Sequence, residues 1–552
     1  MSSAVSLRPN RPGMKRRVNL DKPRLTWRIL NEEERTTAFN PWRSILGPIN
    51  RIHYKDSKKN IFIITLFSIL IAASFFRTYN YPNRIFVQAD NSQHVQVGKY
   101  AADKLKIPQV GPFSSAGPFF YGPWYFWLLE LFSFLPFGFL TNWYFITILY
   151  TLFIPLIYWL GKEIGGKLTG IVAALYAAIS PAQITYSFSV WSPTIVPSVV
   201  LLALTFFVRF YKFKRKIDIF WVCIFVSLAA TIHFQNMLIS PILAIVILTV
   251  KPTLTNYLKY FLPVVFGLII PFIPLLYFDL KFHWYNSINL AIFLLVDQFK
   301  IWVPNRWLTY LVSYWPDAWG YIIGGNRLIG GLLIVILSIL FLVRIASYKK
   351  YKLFFLIAII FILEIFLYRY YRGQRFEYYS LFAHPTVLVL SAWLTVELLK
   401  IKKYIGIILL SLVIIFSIKR VDLGERGVTL SEIRLLKEEL YAKFPGMSFD
   451  IYACERNVSS ISHPLALLMY YEGRSDTSGV KIGVCEDRDF LQWHHLTEKN
   501  FNMEKTLWFN KNTSTVYEDT VEWWIKNPPI KGEGDFWKFI RQNSPLVPSI
   551  FK

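Results

Sequence analysis

Two stretches of this 552-residue chain hold side chains of the kind that handle protons and phosphates. The first runs from Arg77 to about Leu140, between two apolar blocks, and its centre reads Phe86-Val87-Gln88-Ala89-Asp90-Asn91. An acidic residue there, followed by Gly111-Pro112-Phe113-Ser114-Ser115-Ala116-Gly117-Pro118 and then Tyr121-Gly122-Pro123-Trp124-Tyr125, is unusual for a passive connection. The second reads Tyr368-Arg369-Tyr370-Tyr371-Arg372-Gly373-Gln374-Arg375. Guanidinium groups match phosphate oxygens bidentately; lipid-headgroup anchoring by snorkelling side chains is the plainer use of the same residues. His233, at the end of an apolar block, could donate a hydrogen bond in the same region or simply sit at an interface. Glu364, inside a block, would cost about 2.5–3.5 kcal/mol at mid-membrane if charged and unpaired. It is therefore expected to pair with one of these arginines.

The elements that position these residues follow from composition. Hydrophobic residues make up 54% of the chain, aromatic ones 18% and charged ones 17%, with a mean hydropathy of +0.37. An ordinary soluble domain is about 45–50% apolar and about 25% charged. The apolar residues fall in blocks of about 17–22, the length that crosses a hydrocarbon layer of about 30 Å. Soluble, collagenous, disordered and disulfide-scaffold classes are excluded. About eleven spans are expected, near 60–76, 142–160, 168–186, 194–211, 217–233, 235–250, 260–278, 328–346, 353–368, 380–399 and 403–418. The net charge of +25 falls largely in a basic arm, 1–59, and in the connections holding Lys212–Lys216, Lys349–Lys352 and Lys400–Lys403. Positive-inside alternation then puts the N-terminus in the cytoplasm, and the arm meets anionic lipid rather than nucleic acid. The alternation requires Phe119–Leu140 to lie along the outer surface without crossing, which leaves two long outer loops, 77–141 and 279–327. In the second, Leu290–Val296 is too short to span and is expected as a surface or re-entrant helix. Trp302, Trp307, Trp315 and Trp319 could offer faces for sugar rings or form an interfacial belt.

An odd number of spans puts residues 419–552 outside, where acidic residues become frequent. A strand at Phe449–Cys454, a helix at Ser459–Tyr471 and a strand at Lys481–Cys485 predict a small α/β or α+β extracytoplasmic domain. Cys454 and Cys485 each end a strand on the oxidising side, so a disulfide is open; Cys223 lies in a span. Asn457 and Asn512 stand in glycosylation sequons. No phosphate-cradling glycine loop is found, so the sequence gives no support for ATP-driven work.

Taken in order and by membrane side, the motifs around Asp90 and Gly111–Tyr125 resemble the membrane glycosyltransferases of the GT-C fold. The resemblance is strongest to the branch of protein O-mannosyltransferases and lipid A aminoarabinose transferases. It continues through Ser180-Pro181, Tyr186-Ser187, Trp191-Ser192-Pro193, His233-Phe234-Gln235, Pro274 to Asp279 and Tyr378-Tyr379 to Pro385, over about residues 55–420. It implies a polytopic helical protein that transfers a sugar from a polyprenyl-phosphate donor to a glycan, lipid or protein acceptor at the outer face of the cell membrane. It further implies Asp90 as general base and Arg369, Arg372, Arg375 and His233 around the donor phosphate. Asn91, Tyr121, Asp279 and Tyr379 become substrate-binding, and Asp103 receives no role. Many relatives carry a second Asp after the third span; here Tyr186–Pro193 holds no charged residue. A divalent metal ion is thus allowed by the resemblance but lacks its second carboxylate. A transporter or flippase of lipid-linked sugars would share the span number, though its polar residues usually meet at the membrane midplane.

Overall fold

The computed structural model describes residues 57–552 except 115, 251, 301–306, 372–374, 376, 426–427, 454–460, 477, 488–489, 496–503, 506–525, 527–532 and 547–552. Residues 1–56 of the basic arm, Trp302, Arg372, Cys454 and both sequons lie outside the described residues. Contacts divide the chain at Ile63, and the site and its supports all belong to Ile64–Lys552.

Each of the expected apolar segments is helical. Among the described residues, six helical runs are long and apolar enough to cross a membrane: Gly138–Gly165, Ser192–Phe213, Leu254–Lys281, Arg327–Ser347, Lys352–Tyr370 and Glu377–Ile401. Shorter apolar helices cover Phe62–Thr78, Lys167–Ile179 and Phe234–Leu248. Helix His384–Ile401 is buried from His384 through Leu398 and packs against Lys167–Ile179, Thr141–Gly165, Arg327–Arg344 and Lys403–Arg420. The peripheral helices instead turn large apolar side chains outward, among them Leu258, Phe261, Leu262, Phe266, Leu328, Val335 and Leu342. So much exposed hydrocarbon is unfavourable in water and natural against lipid tails, as in an integral membrane protein.

Three segments depart from expectation. The segment 168–186 breaks at Ser180, which is extended (ψ 119°), accepts the Gln183 N–H on its hydroxyl (3.2 Å) and precedes Pro181. Lys167–Ile179 is therefore about 20 Å long. Within 119–140 the α-helix is Trp124–Ser133, about 15 Å, half the thickness of a hydrocarbon layer, and a 3-10 turn at Gly138–Leu140 leads into the next helix. The loop 279–327 holds more structure than one short helix: Tyr285–Leu295, then a helical run Trp307–Ile322 with a π turn at Tyr310–Tyr314. Trp315 and Trp319 are buried in that run against Phe361, and the Trp319 indole donates to Ser391 Oγ (2.9 Å). They are core, not faces for sugars.

Beyond Lys419, helix Leu430–Lys443 opens with a Thr429–Glu432 capping box. Strand β1 (Phe449–Ala453), helix Ser462–Tyr471 and strand β2 (Val480–Asp487) follow the expected order and form a parallel crossover, with Phe449 opposite Val480. Strands β3 (Phe490–His495) and β4 (Glu504–Lys505) complete a sheet of order β3-β2-β1-β4. This module braces the segment between Arg77 and Leu140. Ser431 Oγ donates to Asn83 Oδ1 (2.5 Å), and Tyr470 donates to Asp103 Oδ2 (3.0 Å). Asp103 also pairs with Lys99 (2.5 Å).

Candidate active site

The helix Ala89–Lys104 begins after the extended Gln88 and carries Asp90 in its first turn, where the helix's partial positive charge favours a carboxylate. Asp90, Gln93, His94 and Val97 recur at i, i+3, i+4 and i+7, on one helical face. That face lines a cavity of about 340 Å³. The Asp90 side chain opens into it with no hydrogen-bond partner among the described residues, and the surrounding protein raises its carboxyl above the ordinary range by desolvation.

The Gly-Pro-aromatic segment folds over this face as a tight hairpin. Gly111 N–H donates to the Tyr121 carbonyl (2.7 Å), Tyr121 N–H to that of Pro112 (3.0 Å) and Ser114 N–H to that of Phe119 (2.9 Å). Gly122 N–H fastens the hairpin to the Thr231 carbonyl (2.7 Å), at the end of helix Lys216–Ile232. Both glycines are required by close approach. A Cβ on Gly111 would lie 2.1 Å from the Gly122 carbonyl oxygen, and one on Gly122 would lie 2.9 Å from Thr231 Cβ.

Tyr121 is thereby pressed against His233. Their rings stack at 4.6 Å and the Tyr121 hydroxyl lies 3.2 Å from His233 Nε2. Burial raises the Tyr121 phenol, which stays protonated. Trp191, Ser192 and Tyr378 complete the lining of the cavity, with Trp191 and Tyr378 rings 4.4 Å apart.

Of the residues singled out from sequence, Asp90, Tyr121 and His233 meet in this cavity. The others stand behind it. Asn91 is buried and accepts a hydrogen bond from Ser189 Oγ (2.9 Å), while Phe86 N–H donates to the Phe188 carbonyl (3.0 Å). These contacts tie the start of the Asp90 helix to the uncharged loop after Ser180. Tyr379 is buried behind Tyr378, its ring 5.6 Å from that of His233. Asp279 does not line the cavity. It caps helix Tyr285–Leu295, accepting from Asn286 N–H (2.7 Å), Ser287 N–H (3.2 Å) and Ser287 Oγ (2.5 Å). Asn286 in turn accepts the Phe120 N–H (2.6 Å), so Asp279 reaches the hairpin at second hand.

Arg369 lies over Trp307 (4.8 Å), and Arg375 over Tyr310 (4.9 Å), with Arg375 Nη2 donating to the Tyr371 carbonyl (2.8 Å). Neither lines the Asp90 cavity among the described residues. Glu364 does not pair with them. It is buried, and both its oxygens lack a hydrogen-bond partner among the described residues. A second cavity, about 110 Å³ and almost wholly apolar, lies between Phe119, Phe234, Leu238, Phe293, Leu367 and Tyr371. Tyr121 lines both cavities.

His94 is the functional candidate that sequence reading missed. The signal was available as Asp90 and His94 four apart, but it acquires meaning only once 89–104 is known to be a helix. Although Asp90, His94 and His233 line one cavity, no group of three or more His, Cys, Asp or Glu comes together to hold a metal among the described residues. Among the described residues the donor set, one carboxylate and two buried imidazoles, does not fit a resident divalent ion.

No protein-family model and no curated protein matches the chain. Solved structures do match. The apo form of ArnT from Cupriavidus metallidurans superposes with a TM-score of 0.53 at 11% identity, over 78% of this chain and 94% of that one. Its undecaprenyl phosphate complex gives 0.51 at 10%, over 77% and 92%. The apo oligosaccharyltransferase of Archaeoglobus fulgidus gives 0.47 at 12%, over 74% and 63%. At such identities the likeness defines the fold. The chain has the GT-C fold that its motifs imply.

Proposed function

We propose that this chain is a membrane glycosyltransferase that moves a sugar from a polyprenyl-phosphate donor to an acceptor hydroxyl, with Asp90 as general base. The observation that carries the reading is the meeting, at Tyr121, of a cavity of mixed polar and apolar lining that holds an unpaired carboxylate and an almost wholly apolar one. A lipid-linked sugar needs that pair: hydrocarbon against Phe119, Phe234 and Phe293, and the reacting carbon in the Asp90 cavity beyond Tyr121. The ArnT structure with undecaprenyl phosphate supports the choice of donor class.

In the reaction the acceptor hydroxyl gives its proton to the Asp90 carboxylate as its oxygen bonds the anomeric carbon. The bond from that carbon to the phosphate oxygen breaks, and polyprenyl phosphate leaves with the electron pair. A carboxylate raised by desolvation is a better proton acceptor than an ordinary one. Arg375 and Arg369, with Arg372, offer positive charge to the departing phosphate; Tyr371, bonded to Arg375, also lines the apolar cavity. His233 and Tyr121 hold the boundary between the two spaces. Asn91, Asp279 and Tyr379 act by positioning. The membrane orientation that goes with this chemistry has the N-terminus cytoplasmic and the module after Lys419 outside; glycan, lipid and protein acceptors all carry the required hydroxyl.

The test is to present the purified chain in lipid nanodiscs with a panel of polyprenyl-phosphate pentoses and hexoses. Release of polyprenyl phosphate from at least one is the expected result. A panel left wholly intact refutes the reading.

A further inference from the structure

His94 lies one helical turn beyond Asp90 on the face that lines the Asp90 cavity, so the two side chains are neighbours roughly 6 Å apart. Its ring is packed edge-on against Tyr125 (5.5 Å) and Phe126 (5.6 Å) and is only 6% exposed. Nδ1 is closed off behind the ring and has no hydrogen-bond partner among the described residues, which leaves Nε2 as the ring nitrogen open to the cavity. An aromatic hydrocarbon ring would fill this wall without that uncompensated polar atom, and buried polar groups left unpaired call for an explanation such as a ligand or a catalytic role. Burial pushes the imidazole down to about 3, so it is neutral in use, one nitrogen donating and the other accepting.

Trp191 and Tyr378 line the same cavity, their rings 4.4 Å apart, and are suited to the apolar C–H face of a pyranose. We propose that His94 hydrogen-bonds a sugar hydroxyl of the acceptor, holding it for Asp90, so that the acceptor is itself a carbohydrate. This rests on the glycosyltransferase reading. The lipid tail of the donor lies on the Tyr121 side, which leaves the Asp90–His94 face to the acceptor. His94 moves no proton; it fixes the direction of the hydroxyl that Asp90 deprotonates.

The test titrates a panel of methyl glycosides into the full chain in nanodiscs by calorimetry, with donor consumption measured in parallel. At least one glycoside should bind. His94→Phe, which keeps the aromatic wall, should weaken that binding about tenfold, the worth of one hydrogen bond, and should raise the KM for the glycoside but not for the donor. His94→Gln should recover most of the loss, which a purely structural role would not allow. Absence of binding by the parent chain, equal binding by His94→Phe, or a shift in donor KM instead, overturns the proposal. A parent that consumes donor while His94→Phe binds glycoside normally leaves the transferase reading standing. A parent that binds glycoside through His94 yet consumes no donor removes that reading and keeps the contact.

Discussion

Replacing Asp279 by Ala separates a positioning role from a substrate contact. The carboxylate accepts from two backbone N–H groups and one hydroxyl at the start of helix Tyr285–Leu295. Loss of a capping side chain costs about 0.5–2 kcal/mol, and hydrogen bonds to a charged group are worth about 1.5–3 kcal/mol. A destabilisation of about 2–3 kcal/mol is therefore expected, visible as a lower melting temperature in nanodiscs. Asn286 then loses its anchor, and with it the 2.6 Å contact to Phe120 that holds the hairpin. A misplacement of about 1 Å at a reacting centre costs on the order of 10²-fold, so kcat/KM should drop about 10–100-fold. Asn286→Ala should reproduce much of that loss, and the double variant should fall short of the sum, because the two act through one chain of contacts. A melting temperature equal to the parent's, with Asn286→Ala fully active, would refute the positioning argument and return Asp279 to the substrate.

Arg375→Ala should raise the KM for the donor about tenfold, the loss of a charge-assisted phosphate contact, with kcat little changed; an unchanged donor KM would remove Arg375 from the phosphate. Cysteines introduced at Lys214 and Ser475 should react with an impermeant reagent from opposite sides of the membrane. Labelling from one side would overturn the proposed orientation of the C-terminal module.

The helical framework was legible because a membrane makes hydropathy a direct reading of structure: the expected segments are helical, with 168–186 interrupted at Ser180. The Gly-Pro-aromatic segment was legible for another reason. Glycines at 111 and 122, where any Cβ would collide, leave a mark in the sequence that geometry later explains. What stayed hidden depends on contacts distant in the chain. Nothing near Asp279 announces that Asn286 will pass its influence to Phe120, some 166 residues away. Trp315 and Trp319 read as an interfacial belt because the partners that bury them, Phe361 and Ser391, belong to later helices. Asp103, with no role by resemblance, turns out to tie the Asp90 helix to Tyr470 of the C-terminal module.

The proposed role of Asp90 as acceptor of the hydroxyl proton is measured by comparing Asp90→Asn with the parent in donor consumption across pH. Asn keeps the size and much of the hydrogen bonding but accepts no proton. Removal of a general base typically costs about 10²–10⁴-fold, and donor affinity should persist because phosphate is held elsewhere. Desolvation raises the Asp90 pKa, so the parent should lose activity, as pH falls, before a free Asp of pKa about 3.9 would protonate; the variant's residual rate should lack that step. A folded, membrane-inserted Asp90→Asn protein that transfers sugar at the parent rate with the parent's pH profile would contradict the account.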